Sequence, residues 1–330
     1  MISRLVYKIQ FEFFLSRGLA NAGRGFYNRN MKYDYIIIAG PTASGKSDFA
    51  HLLAKRVNGA IINCDSVQIY RDIETVSASP FAGNIKNGFN EIDGVPYKLF
   101  SVLPLTEHIS VADYLTMARD AMNEVIKMGK IPIFVGGSGY YINVLINGIS
   151  PIPEISEQTR NKAREMIKNS PDRVLELLPK DFTPRDPQRM ARAIEVLLET
   201  GKPLSHWQNL PRMGALPGRG YKVLILPNRE ILLERIARRV PEMIRGDAVD
   251  EARNIIANNL PENRAIGTEQ ICKMLRGEIS EADAVENWIV KTNQYAKRQR
   301  TWYKTQYVPD FQILNVPNDN DIEEVIKRLF

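Results

Sequence analysis

The sequence predicts an α/β protein: a parallel β-sheet flanked by helices, with a helical domain inserted into it. Three observations predict it. Apolar β-type runs at 35–39, 60–63, 131–135 and 221–226 are nearly continuous, as in strands buried on both faces. Helical patterns such as 48–57 and 111–128 separate them, the alternation that builds a parallel sheet. Between about 151 and 212 the strand signal vanishes and Arg-, Lys- and Glu-rich helical stretches appear, bounded by Pro151, Pro153, Pro211 and Pro217.

Taken in order, residues 1–30 set Arg4, Lys8, Arg17, Arg24 and Arg29 against the single acid Glu12. An organellar transit peptide has this look, and so does an upstream extension ending at Met31-Lys32; the second reading is preferred, and the segment is set aside from the fold. Residues 31–150 are the first part of the core and 151–212 the helical insertion. Residues 213–330 return to the sheet at 221–226 and continue as helical patterns over 229–304, with a short acidic-then-basic helix before Phe330.

With 330 residues, 44% hydrophobic and 25% charged, the composition is that of a soluble globular chain of one large or two smaller domains. The net charge of +6 admits a polyanionic partner without requiring one. Cys64 and Cys272 lie in core-like segments, which argues for a reducing compartment and against disulfides or a cysteine zinc site. His51, His108 and His206 are too scattered for a metal cluster. No apolar run approaches the ~18 residues of a membrane span. A cytoplasmic monomer is expected, with a mitochondrial location left open by residues 1–30.

The chemistry begins at Gly40-Pro41-Thr42-Ala43-Ser44-Gly45-Lys46-Ser47, between a strand and a helix. GxxxxGK[ST] in that context is a phosphate-binding P-loop, whose backbone N–H groups and helix end receive a chain of phosphates. Lys46 would neutralise the outer phosphates, and the Ser47 hydroxyl would sit on Mg²⁺. Such sheets place active sites at the carboxyl ends of their strands. Three runs lead straight into polar or glycine-rich segments: 40–47, Asp65-Ser66-Val67-Gln68 and Gly136-Gly137-Ser138-Gly139. These should meet at one rim. Asp65 is the single carboxylate there, as a metal-holding group, a general base or a helix cap. Ser138 stands in a tight turn and could donate to an oxygen that gains charge on departure.

Three further stretches carry two readings each. In Asp186-Pro187-Gln188-Arg189-Met190-Ala191-Arg192, Asp186 is an N-cap and Pro187 the first helical residue, and Arg189 and Arg192 share a face that is either solvated or meets phosphates. Arg235, Arg238 and Arg239 pose the same question; Arg235 and Arg239, four apart, are candidates for the diphosphate. The run from Lys291 to Lys304 has five basic residues, no acid and three aromatics. That suits single-stranded RNA, or else a helix laying Trp302 into the core.

Together, GPTASGKS, DSVQIY, ISVADY, GGSGYY, DPQRMARAIEV, RAIG and YAKRQRTWY resemble the tRNA dimethylallyltransferases, also called tRNA isopentenyltransferases, from Lys32 to about Tyr303. The resemblance implies a P-loop NTPase-like core whose loop at 40–47 holds dimethylallyl diphosphate. The dimethylallyl group would pass to N6 of adenosine 37, beside the anticodon. It implies Asp65 as general base, Asp65, Ser66, Val67 and Gln68 around the adenine, and Ser138, in place of the family's usual Thr, near the departing oxygen. It implies tRNA contacts at Arg160, at Gln188, Arg189 and Arg192, at Arg264 and Gly267, and at Lys297, Arg298, Gln299, Arg300, Trp302 and Lys304. The implied partner is the anticodon stem-loop and the implied cofactor Mg²⁺. The chain departs from the family pattern at Glu74–Ser79, Thr268 and Asn293. Outside that resemblance, the phosphate loop alone also admits a small-molecule kinase, a prenyltransferase of free adenine nucleotides, or an RNA-binding module with a vestigial loop.

Overall fold

The computed structural model describes residues 31–82, 91–179, 182 and 186–330; the basic segment 1–30 lies outside the described residues. Contacts group the chain up to Asn143 with Pro217–Phe330, and Val144–Leu216 separately.

The larger unit is built on seven strands: β1 (Tyr35–Ala39), β2 (Gly59–Asn63), β3 (Glu91–Ile92), β4 (Val95–Lys98), β5 (Ile131–Gly136), β6 (Gly220–Ile225) and β7 (Phe311–Ile313). Their order is β3-β4-β2-β5-β1-β6-β7. All neighbours are parallel except the β3–β4 hairpin. β1 lies between β5 and β6, with Ile36 opposite Ile133 and Tyr221. Its five residues are all buried, which explains the unbroken apolar run.

Ile36 and Ile38 point to a core shared with helix α1 (Lys46–Val57) and the last helix, Asp319–Leu329. Helix α2 (Val111–Lys127), opened by a Ser110–Asp113 capping box, covers β2 and β5, and its buried Tyr114 hydroxyl donates to the Asn63 carbonyl at 3.0 Å. Helix α3 (Gly139–Asn147) follows β5.

In Val144–Leu216 four helices pack on a small core of their own: α4 (Glu157–Asn169), α5 (Pro171–Leu177), α6 (Pro187–Thr200) and α7 (Leu204–Gln208). Ala163, Val174, Leu178, Ala193 and Ile194 form it. Asp186 caps α6 as its sequence predicts, accepting from the Arg189 N–H at 3.0 Å with Pro187 in the first turn.

Helices α8 (Arg229–Arg245), α9 (Ala248–Ala257), α10 (Thr268–Leu275) and the 26-residue α11 (Glu281–Gln306) complete the larger unit, with α12 (Asp319–Leu329) at its end. Among the described residues no helix is long and apolar enough to cross a membrane.

Candidate active site

The segments after β1, β2 and β5 meet at one end of the sheet. Gly45 sits at φ 88° just ahead of α1, a left-handed setting that a side chain would strain. Lys46 is therefore the first residue of α1, where free N–H groups gather. Arg239 on α8 donates Nη2–H to Thr42 Oγ1 at 2.9 Å, and Arg235, one turn earlier, donates to the Ala43 carbonyl at 3.2 Å. Among the described residues no carboxylate comes within ion-pair distance of Lys46, Arg235, Arg238 or Arg239. Burial lowers the Lys46 pKa, the Asp65 charge works against that shift, and the Arg239 charge adds to it. Burial likewise lowers the Arg239 pKa. The buried Ser44 Oγ and Arg239 Nε have no partner in the protein. A cationic pocket with unpartnered buried polar atoms is built for a polyanion.

Asp65 is clamped by its backbone. Its N–H donates to Asn63 Oδ1 at 2.8 Å, and its carbonyl accepts from Asn63 Nδ2 at 3.0 Å. One carboxylate oxygen accepts from the Val67 N–H at 3.0 Å, so the carboxylate caps a turn and no helix follows it. The other, Oδ2, lies beside Gly137, 3.6 Å from where a Cβ would stand. Burial raises the thiol of neighbouring Cys64 to about 12, which removes it as a nucleophile.

Ser66, Val67, Gln68, Thr42, Ala43, Gly45, Lys46, Ser47 and Asp65 line one cavity of about 670 Å³, with Arg235 and Arg239. Gln68 spends its amide hydrogens on the Ser77 and Ala78 carbonyls at 3.1 and 2.8 Å, so towards the cavity it can only accept. Those carbonyls belong to the atypical 74–79 segment. It is held from α9, where Glu251 accepts from the Thr75 and Val76 N–H groups at 2.6 and 3.0 Å. A magnesium ion bound chiefly through phosphates fits this donor set. Ser47 offers a hydroxyl at the wall, and Asp48 and Asp65 are two of the four carboxylates that line the cavity, with Glu242 and Glu269. No group of three His, Cys, Asp or Glu among the described residues could hold a metal by itself.

Several expected contacts sit elsewhere. Ser138 does not line the cavity: its Oγ accepts from the Ser66 N–H at 2.9 Å and donates to Ser66 Oγ at 3.1 Å, tying two loops together. Gln299 is buried, with both ends of its amide used on backbone, because α11 turns it inward. Arg300 donates to the Pro227 carbonyl. Arg264 lines the cavity, but its guanidinium donates to the Leu105 and Glu107 carbonyls at 3.0 and 2.8 Å and lies over the Tyr70 ring. Gly267 is buried against Trp288. Gln299 and Gly267 are thus buried in the fold, while Arg264 and Arg300, half-buried, are anchored on backbone carbonyls. Trp302, half-buried, packs its ring on Gly139 and lines a shallow groove with Lys297, Arg298 and Thr301. Lys297, Arg298 and Lys304 are exposed, as are Gln188 and Arg189. Arg192 is paired with Glu195 at 3.3 Å and Arg160 with Glu157 at 3.7 Å.

Sequence reasoning missed Tyr295 as a site residue. It lines the cavity, with its hydroxyl close to the Ser138 and Gln299 side chains and its pKa raised chiefly by burial. The helical spacing of Trp288, Thr292, Tyr295 and Gln299 marks this face of α11, and it was the available signal.

The IPP transferase family model matches residues 68–306, and that of isopentenyl transferases residues 33–90. The chain belongs to the IPP transferase family. Among its relatives, the tRNA dimethylallyltransferase of Rickettsia bellii (strain OSU 85-389) is 35% identical over 310 residues, covering 90% of this chain and 96% of that protein. The Rhizobium meliloti tRNA dimethylallyltransferase is 36% identical, over 86% and 96% of the two chains. In structure, this IPP transferase resembles the tRNA isopentenylpyrophosphate transferase of Bacillus halodurans (TM-score 0.62, 28% identity, 89% and 95% of the chains). A eukaryotic dimethylallyltransferase acting on tRNA matches with TM-score 0.69 and 25% identity, over 88% and 77% of the chains.

Proposed function

We propose that this IPP transferase moves the dimethylallyl group of dimethylallyl diphosphate to N6 of adenosine 37 in tRNA. One observation supports the assignment above the rest: a carboxylate, Asp65, shares a cavity with Lys46, Arg235 and Arg239, which form no ion pair among the described residues. The exocyclic amine of adenine is a poor nucleophile, because its lone pair is delocalised into the ring. As N6 bonds to C1 of the dimethylallyl group, the C1–O bond breaks and its electron pair leaves with diphosphate. The proton lost from N6 passes to Asp65, a type of assistance worth about 10²–10⁴-fold. Lys46, Arg235, Arg239 and the amides of 40–47 would meet the leaving charge. Magnesium, when bound at Ser47, would neutralise part of that charge.

Adenine must leave its stack to enter such a cavity. The exposed cations Lys297, Arg298 and Lys304, with Arg189 and Arg192 on α6, are the tRNA-facing residues of this reading. The buried thiols Cys64 and Cys272 fit a reducing compartment, the cytoplasm.

Incubating the protein with labelled dimethylallyl diphosphate and unmodified tRNA tests the assignment. Label on N6 of nucleoside 37 is the expected result. No transfer, or better transfer to AMP than to tRNA, would overturn it.

A further inference from the structure

Between the donor loop and the base loop the structure has an indirect connection. Among the described residues no hydrogen bond runs directly from 40–47 to 64–68. Beyond the backbone ladder that pairs Ala39 with Gly136, one link passes through a single side chain. Gln299 Oε1 accepts from the Thr42 N–H at 2.8 Å, and Gln299 Nε2 donates to the Gly137 carbonyl at 2.8 Å. The next residue, Ser138, holds the Ser66 N–H at 2.9 Å, one position beyond Asp65. The fit leaves no slack, since a Cβ on Gly137 would meet Gln299 Nε2 at 2.5 Å. One turn further along α11, the Tyr303 hydroxyl reaches the Gly136 carbonyl at 3.5 Å, which sets the helix in register with the same turn.

We propose that Gln299 is a positioning residue for prenyl transfer: its amide clasps the phosphate loop to the Gly136–Gly139 turn and so sets the spacing between the diphosphate and Asp65. The inference rests on the transfer reaction proposed above. It assigns Gln299 a task distinct from that of its exposed neighbours Lys297 and Arg298. An amide suits the position because it offers one acceptor and two donors. A leucine of similar size offers neither, and a glutamate keeps the acceptor while losing the donor.

The test uses Gln299→Leu and Gln299→Glu in the full-length protein, with three readouts. Single-turnover transfer from preformed tRNA complexes saturated with donor should fall about tenfold to a hundredfold, the scale of a misplaced reacting pair. tRNA affinity should stay within about twofold of wild type, since Gln299 is turned away from solvent. Amide hydrogen exchange over 40–47 should accelerate in the leucine variant and stay unchanged in Lys297→Ala. A leucine variant with full transfer rate would overturn the proposal, as would equal losses of rate and tRNA affinity, which mark a direct RNA contact. Unaltered exchange over 40–47 would overturn it independently of activity. If wild type itself fails to prenylate tRNA, the transfer reading falls, and the exchange data alone then decide whether the clasp exists. Should the leucine variant not fold, the glutamate variant, which loses the bond to the Gly137 carbonyl, carries the transfer and affinity readouts, and a full transfer rate there overturns the proposal.

Discussion

Arg189 and Arg192 stand three apart on α6, and Arg235 and Arg239 stand four apart on α8; as strings of letters they pose one question. In the structure, Arg189 is exposed and Arg192 shares its charge with Glu195. Arg235 and Arg239 instead turn their guanidinium groups onto the backbone and hydroxyl of 42–43, and Arg239 keeps a buried Nε without a partner. The difference arises from what each helix packs against. One pair lines a cavity beside 42–43; the other lies on a solvated surface. Spacing alone cannot separate them, because it fixes the shared face and not its neighbour.

The largest effect should come from the proposed base. Asp65→Asn keeps the acceptor for the Val67 N–H and removes the base. Single-turnover transfer should fall about 10²–10⁴-fold with tRNA affinity unchanged. Equal losses in both would remove the base role.

Next, Arg239→Ala should raise the donor KM about tenfold or more, as expected for a lost charge-assisted contact in a buried site, and leave tRNA binding unchanged in a filter assay. An effect on tRNA alone would erase the distinction between the pairs. Lys46 offers a related check. Its pKa is pushed below that of a free lysine, so the donor-free enzyme loses this charge on the alkaline side earlier than 10.5. The kcat/KM for donor should therefore decline as pH rises through that region, and a flat alkaline profile would count against Lys46 meeting the phosphates.

Arg189→Ala should weaken tRNA binding only severalfold and reduce the slope of log affinity against log salt by about 0.7 to 0.9, one phosphate contact. Donor KM should not move. The smallest effect concerns Glu269, held to about 2 by hydrogen bonds from Lys273 and then Lys291. Its folded pKa lies below the unfolded value, so its contribution is present above about pH 4 and fades as pH falls towards 2. Because the pair is partly exposed, Glu269→Gln should cost about 0.5 kcal/mol or less in denaturant melts at neutral pH.

How much of this was legible varies by element. β1, the phosphate loop and the Asp186 cap could be read directly, because burial on two faces and cap chemistry write themselves into local residue types. The β3–β4 hairpin was overlooked although Asp93-Gly94, at φ 48° and 79°, carries the residues a tight two-residue turn demands. β7, three residues long, has too little pattern to read. On α11 the basic letters left an RNA surface and a core-packed helix both open, and the structure turns Gln299, Arg300 and Tyr295 towards the protein. Which face of a long amphipathic helix turns inward is settled by its neighbours, and the Gly136–Gly139 turn that receives Gln299 comes from a distant part of the chain.

The strand that carries the phosphate loop has both its partners far downstream. β1 is synthesised first, β5 much later, and β6 only after helices α4 to α7 have been made. At ribosomal speeds of about 5–20 residues per second, the wait for β6 is roughly ten to forty seconds. Throughout it, one edge of Ile36–Ile38 stays open to wrong pairing. The floor beneath Gly40, the Ile225 carbonyl, is also still missing. Folding in the cell therefore exposes the catalytic core during translation, and holding chaperones should engage this nascent chain until its central sheet closes.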